Sequence, residues 1–490
     1  MKYWYAALLC LSFVSLPAQE LRVTEGITDN QVLQRSADQT ADLHFGGTII
    51  GKKATGKDVE ARLTSGGSPV SGFEWMAVGK VNKLQKWTAE IKGVHTGGPY
   101  RLEVRLQGSP IIYPVDKIMV GDLWILAGQS NMEGYGDLVD VQQPIPQVHS
   151  FDMSDKWLIA EEPLHTLVSA EDRVHWRLND QKEPERWSGE RLDKYITQRK
   201  KGAGLGLPFA VEMFRRTGVP IGVIPCAHGG TIMEQWSPTL KDREGDSLYG
   251  SMLRRFHAVG GNVKGMLWYQ GESDASPAEA PYFLRRFEDF VKAVRADFNE
   301  PDLPLYYVQI GRHISNMNIA EWNNIQAMQL KAETDLPNVG MISSIDCTLD
   351  DAIHTSTQDL KRLGFRLADR VCRDLFPRVK NYGDLKPGPR PVSAHRDGEV
   401  IKVNFSGVNG RLQSDGRIAG FTIHDAKGVP VPLIYKASVD PAEASTVLLY
   451  IQGALPAKAT IRYGYGKDPY CNVRDAADMA VPAFGPLNIE

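Results

Sequence analysis

Between residues 116 and 376, short apolar runs alternate with longer segments whose apolar residues recur every three or four positions. The runs occupy 123–127, 219–225, 263–269, 305–310 and 339–345; the longer segments occupy 203–214, 249–257, 282–298, 320–332 and 358–375. A short run that is apolar throughout suits a strand buried on both faces, and a single apolar stripe suits a helix lying on a sheet. Strand–helix alternation of this kind predicts a parallel sheet covered on both sides. Right-handed crossovers then gather the loops that follow the strands at one sheet edge, where sites usually form.

The flanks carry a different pattern. Residues 20–115 consist of short alternating stretches split by glycine turns, which predicts a β-rich module. A proline-rich run near 385 leads into a second β-rich module over 385–490. The α/β region therefore spans 116–376. An insertion near 145–200 is polar, rich in Trp and His, and poor in regular pattern; it is expected to overhang the site and shape a cleft. At 490 residues, two or three domains are expected. The apolar run that ends in a small residue at Ala18 reads as a signal peptide over 1–18, so a secreted or periplasmic protein is expected. No later segment predicts membrane insertion. A formal charge of -3 does not favour nucleic acid as a partner. Cys226, Cys347, Cys372 and Cys471 lack zinc-type spacing and can be buried thiols or a pair.

Candidate chemistry falls at the ends of the apolar runs. Ser130, in Gly128-Gln129-Ser130-Asn131-Met132, follows the first run and suits a nucleophile presented at a strand tip, with Gln129 and Asn131 as supporting neighbours. The sequence is not the G-x-S-x-G elbow. A serine hydroxyl needs an imidazole to take its proton, and the imidazole needs a carboxylate on its other nitrogen. His354 and Asp351, three apart after the last run, fit those roles; Asp350 and Asp346 are rival partners. Gly229 and Gly230 follow the second run and allow a backbone N–H to approach an oxyanion closely. His228 is a candidate substrate contact. After the third run, Gln270 has an amide that can donate to the same oxygen, and Glu272 is expected to brace the nucleophile loop. Trp157, Trp176 and Trp236 are candidates for stacking on sugar rings.

Four of these pieces together resemble the blocks of the SGNH, or GDSL-like, hydrolases: Gly128-Gln129-Ser130-Asn131-Met132, His228-Gly229-Gly230-Thr231, Tyr269-Gln270-Gly271-Glu272-Ser273 and Asp351-Ala352-Ile353-His354. They are most similar to the sialate O-acetylesterase-like carbohydrate esterases, a group that includes acetyl xylan and xyloglucan acetylesterases. Val32-Leu33-Gln34-Arg35 and Val120-Gly121-Asp122-Leu123-Trp124 extend the resemblance over most of 25–375. The resemblance implies a flavodoxin-like α/β/α sandwich with Ser130 as nucleophile, His354 as base and Asp351 as its partner. It implies oxyanion donors from Ser130, from the Gly229 and Gly230 turn and from Gln270, and no metal or organic cofactor. The implied substrate is an O-acetylated glycan, with a sialate ester or an inactive glycan-binding protein as alternatives. Relatives often carry an aromatic residue where His228 stands, and the sialate branch commonly has a proline after the histidine. Both departures favour a polysaccharide or oligosaccharide over sialate. The ring position and the oligomeric state stay open.

Overall fold

The computed structural model describes residues 19–315, 318–379 and 382–490. The expected signal peptide, 1–18, lies outside the described residues. The chain divides into two compact units. One comprises 36–120 with the residues up to 29; the other comprises 121–490 with 30–35.

The first unit is built of antiparallel strands, among them Thr40–Ile50, Asp58–Ser65, Lys86–His95 and Gly97–Leu106. Val59, Ala61 and Leu63 point inward while the residues between them stay half exposed. That period of two is what places one face of a strand on a core.

A parallel sheet forms the centre of the second unit. Its strands are β1 (Tyr113–Gly128, from residue 121 onward), β2 (Val148–Phe151), β3 (Trp157–Ile159), β4 (Ile221–Pro225), β5 (Gly265–Tyr269), β6 (Leu305–Gln309) and β7 (Val339–Ser343). Their order is β3-β2-β4-β1-β5-β6-β7, parallel throughout except for β3 at the edge. Every residue of β4, β5 and β6 is buried, as strands covered on both faces require. All five predicted strand runs are present.

Two strands of this sheet, β2 and the edge strand β3, were not predicted. β2 lies in the stretch expected to be irregular, and its sequence, Val148-His149-Ser150-Phe151, lacks a continuous apolar run. His149 is nonetheless fully buried, because its ring nitrogens meet the carbonyls of Asn30 and Pro146. A satisfied histidine can occupy a core position that a hydropathy pattern does not reveal.

The helices are α1 (Ser130–Glu133), α2 (Gly189–Gln198), α3 (Gly206–Thr217), α4 (Leu248–Ala258), α5 (Phe283–Asp297), α6 (Ile319–Asp335) and α7 (Thr357–Leu375). α3 packs with α7 and α5 with α6. α7 starts where the Ser356 side chain caps the Asp359 N–H, which satisfies one of the free donors of a helix N-terminus. No helix among the described residues is long and apolar enough to cross a membrane.

The C-terminal strands form two four-stranded sheets and one two-stranded sheet within the same compact unit. Ile345, just beyond β7, shares their hydrophobic cluster with Ile401, Val403, Leu449 and Ile461. The Gln309 side chain joins β6 to this region by donating to the Ala483 carbonyl and accepting the Ala483 N–H, each at 2.9 Å. Arg390 and Arg370 both close on Glu333 of α6. Cys226, Cys347, Cys372 and Cys471 are all buried free thiols.

Candidate active site

β1 ends at Gly128 with φ +135°, and a Cβ there would lie 2.2 Å from the Tyr269 carbonyl oxygen of β5. Only glycine lets the two strand ends approach this closely. The next residue, Gln129, donates its N–H to that same carbonyl at 2.9 Å. Ser130 then opens α1.

The loop after β7 holds a histidine–carboxylate pair. Asp351 Oδ1 accepts the N–H groups of Ile353 and His354, both at 2.9 Å, which folds the chain back on itself. The His354 Nδ1 then lies 3.0–3.1 Å from the two carboxylate oxygens. Lys201 Nζ approaches Asp351 at 3.1 Å from a different segment. Partial burial acts to raise the Asp351 pKa, but hydrogen bonds from the Ile353 N–H, His354 and Lys201 outweigh it and hold the carboxyl well below the usual range. The two rival acids are engaged elsewhere. Asp350 accepts from the Asp137 and Thr357 N–H groups, and Asp346 is paired with Arg366 and Arg362.

Ser130 and His354 line one cavity of about 510 Å³. Gln129, Gly229, Gly230, Glu272 and Ser273 form further parts of its wall, together with Tyr135, His313 and Ile353. The Tyr135 ring stacks on the His354 imidazole, with centroids 4.4 Å apart and planes 22° apart.

Both neighbours of Ser130 are fastened to the loop after β5. Gln129 Oε1 accepts from the Ser273 N–H at 3.2 Å. Asn131 Nδ2 donates to Glu272 Oε1 at 2.7 Å, and Asn131 Oδ1 accepts the Thr355 N–H at 3.0 Å. Asn131 therefore bridges the loops that carry Glu272 and His354. Glu272, expected to brace the nucleophile loop, meets that loop through the Asn131 amide. Burial raises its carboxyl to about 7, with the Asn131 amide opposing the shift.

Two expected oxyanion donors are committed to protein acceptors. The Gly229 N–H donates to Glu133 Oε2 at 2.8 Å. Gln270, fully buried, donates from Nε2 to the Thr231 carbonyl and to Asp274, and it does not line the cavity. An amide on a strand end faces one side of the sheet or the other, and residue order alone does not say which. Gly230 lines the cavity with φ +72°.

The aromatic expectations are corrected more broadly. Trp236 is fully buried; its Nε1 donates to Thr231 Oγ1, and its ring packs edge-on against Trp268. Trp157 is buried against Phe151, and Trp176 donates to the Ala170 carbonyl. None of the three lines the cavity, and neither does any residue of 145–200. Lys201, just past the end of the insertion, reaches the site through Asp351. His228 also points away from the cavity wall: its Nδ1 lies 3.1 Å from the Nδ1 of buried His175, which continues to Ser251. Burial lowers the His228 pKa to about 4.

Tyr135, His313, Ile353 and Glu133 were not anticipated from the sequence. His313 follows β6, so applying the strand-end rule to every strand would have found it. Burial, with His354 adding to it, lowers its pKa to about 4. Glu133 is a buried acid raised to about 7 by desolvation, and nothing in its sequence context marks it.

Fold and cavity together define an α/β protein of carbohydrate esterase type, with a mixed central sheet and added β-rich regions. Residues 120–373 match the family described as carbohydrate esterase, sialic acid-specific acetylesterase, and the chain belongs to that family. A probable carbohydrate esterase of Arabidopsis thaliana is 27% identical over 272 residues, covering 50% of this chain and 88% of that protein. Human sialate O-acetylesterase is 25% identical over 348 residues, covering 62% of this chain and 63% of that protein. Among solved structures, a carbohydrate acetylesterase from Xanthomonas citri superposes with a TM-score of 0.65 at 23% identity. That match covers 95% of this chain and 99% of the other, and it speaks for the fold.

Proposed function

We propose that this protein releases acetate from O-acetylated polysaccharide or oligosaccharide by a Ser-His-Asp mechanism, after export to the periplasm or the cell exterior. One observation carries the reading: Ser130 and His354 share a cavity wall, and Asp351 holds the Nδ1 of His354. Ser130 Oγ attacks the acetyl carbonyl carbon while His354 Nε2 takes the hydroxyl proton. The C–O bond to the sugar breaks, and the imidazolium protonates the departing sugar oxygen. Water, deprotonated by the same histidine, then frees acetate and regenerates Ser130. Asp351 keeps its charge throughout and steadies the imidazolium.

A sialate acetyl ester is the second reading, favoured by the similarity to human sialate O-acetylesterase. Acetate release from acetylated xylan, xyloglucan, pectin and O-acetylated sialic acid, each with wild type and S130A, tests both. Release from a polysaccharide that disappears in S130A is expected. Turnover by S130A at the wild-type rate overturns the nucleophile. Wild-type release from sialic acid alone moves the substrate to the second reading, and no release from any member favours a glycan-binding protein.

A further inference from the structure

The Lys201 ammonium is shared among oxygens of three residues. Its Nζ lies 3.1 Å from Asp351 Oδ2, 3.1 Å from Asp137 Oδ1 and 3.3 Å from the Tyr135 carbonyl oxygen. An ammonium carries three N–H donors, one for each of these acceptors. Lys201 does not line the cavity, so any effect it has on the reaction passes through the groups it holds.

Two of those groups sit against the His354 imidazole. Asp351 meets its Nδ1, and the Tyr135 ring stacks on its face. Asp351 Oδ1 is anchored by the Ile353 and His354 N–H groups. Lys201 takes hold of the other oxygen, Oδ2, and the two anchors together fix how the carboxylate faces the ring. The lysine is itself held by backbone pairing. Lys201–Ala203 runs antiparallel to Gly136–Asp137 with Lys201 opposite Asp137, and the Leu138 N–H donates to the Lys200 carbonyl at 2.8 Å. Asp137 is tied in turn to the histidine loop: its N–H donates to Asp350, and its carbonyl accepts the Thr357 hydroxyl.

We propose that Lys201 is a positioning residue for the esterase reaction: its ammonium locks Asp351 and Tyr135 around His354, so that the imidazole is held ready to take the Ser130 proton. The proposal rests on the reading of Ser130, His354 and Asp351 as the reacting trio.

Charge makes the clamp specific. Asp137 and Asp351 approach the same nitrogen, and without the ammonium two like charges would be left close together, which pushes them apart. Burial acts to lower the Lys201 pKa, but hydrogen bonds to Asp351 and Asp137 outweigh it and raise it, so the ammonium keeps its charge. The lysine side chain is 35% exposed and that of Asp351 32%. An ion pair this open to water adds little to folding stability, so losing Lys201 falls on the rate and not on the fold.

The test is kcat and KM for 4-nitrophenyl acetate, with thermal melts, in wild type, K201M, K201R, K200M, D351N and the K201M/D351N double variant. K201M is expected to lose about ten- to a hundredfold in kcat, the scale on which a displaced catalytic group is felt, with KM within about threefold and Tm within about 3 °C of wild type. K201R keeps the charge and its donors and should be faster than K201M. K200M removes the neighbouring exposed lysine and should keep the wild-type kcat, which separates position from net charge. In the D351N background K201M should cost less than about threefold further, because the carboxylate it holds is gone. A kcat for folded K201M within about twofold of wild type, or the same fold-loss in the D351N background as in wild type, overturns the clamp. The two failures separate: D351N at the wild-type rate overturns Asp351 as the partner and takes the proposal with it, whereas K201M at the wild-type rate beside a crippled D351N overturns the clamp alone. K201Q, run through the same cycle, keeps the test intact if K201M does not fold.

Discussion

Asp351→Asn tests the assignment of the histidine's partner most sharply. Asp351 receives N–H groups from Ile353, His354 and the His354 ring, and it also meets Lys201 Nζ at 3.1 Å. An asparagine oxygen at the Oδ1 position keeps the two backbone bonds and so keeps the turn. The amide that replaces Oδ2 then faces two donors, the Lys201 ammonium and the His354 Nδ1–H. The ring escapes by moving its proton to Nε2, and in that tautomer it cannot accept the Ser130 proton. Comparable replacements in serine hydrolases lower kcat by about 10⁴, equivalent to about 5 kcal/mol of transition-state stabilisation. A fall of 10³ to 10⁴ in kcat for 4-nitrophenyl acetate is expected, with a cooperative melt retained. Asp350→Asn is the control: Asp350 pins the start of α7 through the Thr357 N–H, so its loss should lower Tm and leave kcat within about tenfold. Equal loss of kcat in a folded D350N, or a D351N rate within tenfold of wild type, would refute the pairing.

Three further outcomes follow from the packing and the charges. Tyr135→Ala removes the ring stacked on His354; such contacts contribute about 0.5–1.5 kcal/mol, so kcat should fall by roughly two- to tenfold, and a larger loss would point to a direct role for the hydroxyl. Trp236→Ala empties a fully buried site and should destabilise the fold by about 3–5 kcal/mol in denaturant titrations; a selective rise in KM for an acetylated glycan at unchanged stability would restore the stacking role. Although burial opposes it, Arg390 and Arg370 lower the Glu333 pKa to about 2. The stability this group contributes is present above its ordinary value of 4.5 and is lost as pH falls toward 2. Arg390→Gln should therefore flatten the acid limb of a Tm-against-pH curve, and an unchanged limb would remove Glu333 from the account.

The strands carrying the site were legible because burial on both faces demands unbroken apolar runs, as at Leu267-Trp268-Tyr269. β2 escaped for the opposite reason: His149 is buried by virtue of two backbone carbonyls brought to it by distant segments. The candidate residues at loop tips were legible as residue types. Their partners were less so. Gly229 and Gln270 both carry the donor chemistry an oxyanion needs, yet Glu133, Thr231 and Asp274 take those donors. The tryptophans were a fair expectation from composition, but large rings fill cores as readily as clefts.

The sequence alone was enough to define the parallel-sheet hydrolase architecture, and it placed Ser130 after one strand and both His354 and Asp351 after another. Periodicity and strand-end position are local properties, written in consecutive residues. Tertiary structure decided which acid meets His354, which amides remain for a ligand, and which rings line the cavity. Each of those outcomes depends on where a side chain points once segments far apart in the chain have packed. Tyr135 on the imidazole and Glu272 with a bare Oε2 exist as features only after that packing is complete.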